Sequence, residues 1–188
     1  QVENLPSLPR VAQPSAEFLA RRPGEVAQID AARKSISTQT GWRQPFIWPA
    51  RGRISGVFGS QRIYAGEPGV PHNGVDVAGA TGTPIYAPAN GVVILAATSP
   101  FTLEGNLLMI DHGMGLNSAF LHLSRIDVAL GDVIRQGQVL GAIGMTGRAT
   151  GPHLHWGMRW LDQRIDPALV AGPMPAAPAP REQNKKPD

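Results

Sequence analysis

Between residues 45 and 170 the chain is written as short β-type runs. RISGVFG, GVDVA, PIYAP, GVVILAA, NLLMIDHG, LNSAFLHLS and HLHWGMRW follow one another, separated by Gly, Pro and Asn. Such runs are too short for ordinary helices, and the punctuation between them suits tight turns. The 22 glycines and 18 prolines of the 188 residues reinforce this. The spacing predicts a mainly β, mostly antiparallel domain over 45–170, with no solenoid-type repeat.

The flanks read differently. Residues 1–44 form a leader: an extended stretch with Pro6, Pro9 and Pro14, then a short helical segment over 15–36. Ser15 is placed to cap a turn through Arg22, Pro23-Gly24 to interrupt it, and Val26, Ile29 and Ile36 recur at roughly helical spacing. Residues 171–188 are Pro/Ala-rich and then polar, which predicts a disordered or polyproline-like tail.

The pI near 9.8 invites a nucleic-acid reading, but the charge lies in the wrong place. Residues 1–53 carry eight basic and four acidic side chains, whereas 54–172 carry six basic and eight acidic. A slightly acidic β region without a basic, aromatic-studded stripe excludes nucleic acid as the expected partner. The absence of cysteine excludes disulfides, a Cys nucleophile and thiolate metal sites. No apolar run approaches the ~20 residues of a membrane span. The chain starts at Gln1 and shows no signal peptide, as expected of a mature or trimmed form.

All five histidines fall between positions 72 and 155. In PHLHWGMRW, strand alternation puts His153, His155, Gly157 and Arg159 on one face and Leu154, Trp156, Met158 and Trp160 on the other. The apolar set belongs to the core, so the two histidines project together, with Cα atoms ~6.6 Å apart. One of them can bind a metal while the other stands beside it; alternation does not choose between them. In HNGVDVA, four residues of ideal strand would separate His72 from Asp76 by ~13 Å. Shared chemistry therefore requires a bend, for which Gly74 supplies the freedom, leaving His72 on a loop and Asp76 at a strand start. In LNSAFLHLS, alternation sets Ser118, Phe120 and His122 opposite Ala119, Leu121 and Leu123, and the mixed histidine side suits a cleft wall. Asp111-His112-Gly113 reads as turn chemistry. Each motif alone has a plainer structural reading. Together, two imidazoles and a carboxylate make a donor set suited to catalytic zinc, with further histidines nearby for proton transfer.

In order, His72-Asn-Gly-Val-Asp76, Leu121-His122-Leu-Ser124 and Gly151-Pro-His153-Leu-His155 resemble the marks of the lysostaphin/LytM-type zinc endopeptidases. GVFGSQR, GVDVAGATGTPIYAPANGVV and GDVIRQGQVLGAIGMTGRATGPHLHW extend the likeness over roughly 45–170. The resemblance implies a compact antiparallel β domain with a substrate groove. It implies Zn²⁺ held by His72, Asp76 and His155, with His122 and His153 catalytic. The implied substrate is the peptide part of bacterial peptidoglycan, which places the protein in the periplasm or at the cell surface. Phe120 stands where the family commonly has the tyrosine of a Tyr-x-His arrangement, and the RIYAGEPGVPH stretch has its own sequence, expected to border the groove.

Three rival classes follow. A non-catalytic regulator of the same fold that activates another wall hydrolase would typically lack part of the constellation, and here all five positions are filled. The G-D-V-x-x-G-Q-V-L-G rhythm suggests a lipoyl or biotin carrier, but the only lysines are Lys34, Lys185 and Lys186, all outside 45–170. A structural zinc protein would need a fourth protein ligand.

Overall fold

The computed structural model describes residues 2–5 and 15–176. Most of the proline-bearing leader and the tail from residue 177 onward lie outside them. In chain order the elements are β1 (Val2–Leu5), α1 (Ala16–Arg33), a 3₁₀ turn (Gly41–Arg43), β2 (Ile54–Gly56), β3 (Gln61–Tyr64), β4 (Glu67–Pro68) and β5 (Val75–Ala78). There follow β6 (Pro84–Tyr86), β7 (Gly91–Ala96), β8 (Asn106–Asp111), β9 (Leu116–Leu123), β10 (Arg125–Ile126) and β11 (Val133–Ile134). The last are β12 (Val139–Ala142), β13 (His153–Trp160), β14 (Gln163–Ile165) and α2 (Pro167–Ala171).

The fold is mainly β and antiparallel, as the spacing of the runs predicts. The main sheet runs β11-β7-β8-β9-β13-β5-β2, with β14 also paired to β13. A second sheet, β10-β12-β6, and a third, β1-β3-β4, complete it. The one parallel pairing among the described residues joins β1 to β3.

The two faces of the main sheet do different work. Leu154, Trp156, Phe120, Leu108 and Ile110 point to one side and pack with Ile85, Leu140 and Ile143 of the second sheet and its flank. Trp156 and Phe120 are fully buried there, and truncating either to Ala would cost about 3–5 kcal/mol. On the other side, Leu95, Met109, Ala119 and Gly157 form a row of cross-strand partners. Ile29 and Ala32 of α1 cover part of that row together with Leu107 and Phe101.

Ser15 caps α1 through a bond from the Phe18 N–H. The expected break at Pro23-Gly24 does not occur, and the helix runs through Pro23 to Arg33. Proline removes one helical hydrogen bond, but tertiary ties hold the next turn in place. The buried Glu25 carboxylate accepts from the N–H and hydroxyl of Thr102 at 2.9 and 2.6 Å. Arg22 donates to both oxygens of Glu104 at 2.6 and 2.9 Å. Of the apolar positions expected to share a helix face, only Ile29 is buried; Val26 and Ile36 are exposed. Burial of the helix therefore rests on fewer apolar contacts than its spacing suggests, and on more charge.

Candidate metal centre and active site

His155 lies directly opposite Asp76 on β5 and Leu121 on β9, so its side chain and the Asp76 carboxylate share the face that α1 partly covers. His72 precedes β5 on a loop and folds back over it. Its Nδ1 lies 3.0 Å from the Val57 carbonyl, which can only accept, so Nδ1 carries the proton and Nε2 the lone pair. His72 Nε2 lies 3.1 Å from Asp76 Oδ1 and 3.0 Å from His155 Nδ1. His155 Nδ1 lies 2.8 Å from Asp76 Oδ1. Three donor atoms on three buried residues thus form a triangle.

Glycine makes the approach possible, though not as its freedom in the chain suggests. Gly74 has no left-handed conformation; a Cβ there would meet the Trp156 carbonyl at 2.5 Å and His155 Nε2 at 2.8 Å. It is there for closeness, not for the bend.

His122 reaches the same face by an irregularity. Leu108 faces Phe120 while Asn106 faces Leu123, so β9 carries one extra residue, a bulge. His122 sits in it with φ +65°. Simple alternation grouped His122 with Phe120 and set Leu123 opposite; the bulge reverses this. Leu123 joins Phe120 in the core, and His122 turns to the groove. The His122 and His153 rings stand 4.8 Å apart, and His153 Nε2 is 3.8 Å from Asp76 Oδ1. Each Nδ1 donates to a main-chain carbonyl at 2.8 Å, Thr146 for His122 and Gly151 for His153, which leaves the lone pair of the neutral ring on Nε2. A cleft of about 240 Å³ opens beside Asp76, His122 and His153, walled by Glu3, Arg62 and Arg148.

Burial lowers the pKa of His155, and burial together with the neighbouring His153 and His155 lowers that of His122 to about 3. Both are therefore neutral near pH 7, the form in which imidazole ligates metal. Burial alone would raise the Asp76 carboxyl, but the adjoining His155 and His72 side chains hold it well below the carboxylate range. Three lone-pair-bearing atoms facing one another with at most one proton among them suit a cation. Tetrahedral zinc with bonds of ~2.0–2.1 Å places its ligands about 3.3 Å apart, close to the spacing of this triangle.

Sequence reasoning left two members of the site unassigned. Arg62 donates from Nη2 to Asp76 Oδ2, the oxygen turned away from the histidines, and from Nε to Glu3 at 2.9 Å. Glu3 comes from β1 and also binds the Ser60 hydroxyl. The GVFGSQR stretch contained Arg62, but nothing in it pointed to a partner fifty-nine positions earlier. His112 lies elsewhere, fully buried, bonded to the Asn90 carbonyl at 2.8 Å and the Ser118 hydroxyl at 2.9 Å. Asp111 does serve the turn, accepting from the Gly113 N–H at 2.8 Å.

Residues 70–167, half of the chain, match the model of peptidase family M23. The chain belongs to peptidase family M23. Among its relatives, the peptidoglycan DD-endopeptidase ShyA of Vibrio cholerae is 43% identical over 105 residues, 55% of this chain and 24% of ShyA. The chain thus spans about a quarter of the length of that relative. A Pseudomonas aeruginosa crystal structure assigned to peptidase M23 superposes with a TM-score of 0.73 at 41% identity, over 84% of this chain and 63% of that one. A zinc-containing peptidase from Vibrio cholerae superposes at 0.60 with 32% identity, over 65% of this chain and 39% of that one. In this M23 chain all five histidine and aspartate positions of the motifs meet on one sheet face.

Proposed function

We propose that the protein is a zinc metallo-endopeptidase that hydrolyses peptide bonds in the stem or cross-link peptides of bacterial peptidoglycan. The observation that carries this reading is the triangle of His72 Nε2, Asp76 Oδ1 and His155 Nδ1 at 2.8–3.1 Å, flanked by two oriented histidines. These three atoms would hold the zinc. When bound, Zn²⁺ supplies Lewis acidity toward a carbonyl and makes hydroxide available near neutral pH.

The rest is done by the chain. His122 and His153, each fixed through Nδ1, present Nε2 to a substrate in the cleft. One accepts a proton from the attacking water. The other, when its Nε2 carries a proton, stabilises charge on the carbonyl oxygen or gives that proton to the departing amine. ShyA is named for action on peptidoglycan, which supports the same substrate class here and a place in the periplasm or at the cell surface. Among the described residues no helix is long and apolar enough to cross a membrane.

Filled positions at all five sites favour catalysis over a regulatory role that activates another hydrolase. The test is mass spectrometry of purified peptidoglycan digested with and without a chelator. Chelator-sensitive release of peptides with new amino termini is expected. A zinc-loaded protein that releases none would leave the regulator.

A further inference from the structure

On the far side of His155 from the Arg62 cleft, a small cavity of about 80 Å³ lies between α1 and the main sheet. Arg33 of α1, Arg159 of β13 and Arg164 of β14 line it, with the buried Asn117 of β9 and with His155 itself. Arg159 and Arg164 are direct cross-strand partners, a placement in which like charges repel. Among the described residues, the Nε atoms of Arg33 and Arg159 are the only buried side-chain nitrogen or oxygen atoms without a hydrogen-bond partner. Burial and the charges of Arg159 and Arg164 depress the Arg33 pKa, consistent with crowded guanidinium groups.

The acidic groups nearby do not resolve this. Asp30 meets Arg33 Nη1 at 3.3 Å, and Arg159 Nη2 donates to the Asp162 main-chain carbonyl, not to its carboxylate. Glu104 lines the cavity but is engaged by both terminal nitrogens of Arg22. Three cations around a pocket with two unmet donors cost stability in the free protein, and such a cost is characteristic of functional sites.

We propose that this cavity binds a carboxylate group of the peptide substrate, held by Arg33, Arg159 and Arg164. This rests on the peptidase reading above and adds a specificity site to it. The volume admits a carboxylate and a water or two, not a sugar ring. Arginine is suited to a planar two-oxygen anion, and its flexible stem lets the guanidinium re-aim onto one. Arg159 lies four residues along β13 from His155, ~13 Å of strand. A peptide extended along the sheet therefore places the carboxylate within about four residues of the bond at the metal centre.

The test is calorimetric titration of the full chain with a wall-derived peptide whose carboxylates are free, and with the same peptide converted to carboxamides. The wild type is expected to bind the free form about ten- to a hundredfold more tightly, the worth of a charged hydrogen-bonded pair. The Arg33→Gln/Arg159→Gln double variant should lose that preference, with zinc content intact and KM for the free peptide raised by the same factor. Equal binding of the two peptides by the wild type, or a preference kept by the variant, overturns the proposal. If the double variant misfolds, Arg164→Gln, at an exposed hairpin position, is read in the same way. Binding is measured apart from cleavage, so a protein that prefers the free peptide but cuts neither refutes the peptidase reading alone.

Discussion

The two flanks of His155 both present arginine to the groove, and they treat it in opposite ways. On the Arg62 side the cation is gripped by Glu3 and Asp76, carboxylates of the chain itself. On the Arg33 side, Arg159 faces Arg164, and two buried Nε donors have no acceptor among the described residues. A guanidinium satisfied within the chain acts on the protein: it fixes one oxygen of Asp76 so that the other faces the histidines. A guanidinium left short of partners acts on what arrives. The contrast separates positioning from recognition within one sheet face.

The strongest way to break this contrast is to remove its pivot. Asp76→Ala and His155→Ala are expected to abolish stoichiometric zinc and reduce peptide hydrolysis to background. Elemental analysis of the purified variants checks this, and a His155→Ala protein with full zinc would refute the ligand set. His122→Ala and His153→Ala should keep the zinc and lower kcat by about 10²–10⁴-fold. Next comes Arg62→Ala, which frees Asp76 Oδ2 and leaves Glu3 unpaired. Outer partners of this kind are worth about ten- to a hundredfold in metal affinity, measurable by competition with a zinc-binding dye. Unchanged affinity would mean that Arg62 only packs.

The β runs, the punctuation between them and the histidine motifs were legible because each is a local pattern. Alternation correctly put Trp156 in the core and His155 on the opposite face of the regular strand β13, but Trp160, grouped with the core, is exposed at the strand end. It failed one strand away, at His122, because a bulge is a property of two paired strands and leaves no mark in one. Gly74 was noticed for the wrong reason, since only the folded sheet brings the Trp156 carbonyl beside it. The pairing of Arg62 with Glu3 and the approach of Arg33 to Arg159 and Arg164 left no mark because these partners are distant in the chain. The segment of α1 read as a short helix without chemistry, interrupted at Pro23-Gly24. Its hold on the sheet depends on Thr102 and Glu104, about eighty residues away, which no helical period can announce.

That hold sets the next prediction. Glu25→Ala removes the acceptor for the Thr102 N–H and hydroxyl, and should cost about 2 kcal/mol in urea unfolding. Because α1 carries Arg33, the same variant should weaken the preference for the free-carboxylate peptide. Faster amide exchange in α1 with unchanged zinc binding would show that the helix serves one flank and not the other. A variant as stable as the wild type would mean that apolar contacts alone dock the helix.

The smallest expected effect concerns the histidine that belongs to neither flank. His112 donates from Nδ1 to the Asn90 carbonyl and accepts at Nε2 from the Ser118 hydroxyl, which in turn accepts from the Trp156 indole. Burial lowers its pKa from the ordinary 6.5 to about 4, so the unfolded chain takes up the proton first. Its contribution to stability is whole above pH 6.5, declines as pH falls toward about 4, and levels off below that. The slope from this one group is about 1.4 kcal/mol per pH unit. His112→Gln keeps an amide able to bond Ser118 but removes the titration, so its unfolding free energy should fall less steeply across that window. Identical slopes for variant and wild type would show that His112 is not held neutral. The pH sensitivity of folding would then come from His122 and His155, whose pKa values burial also lowers, and zinc should suppress it.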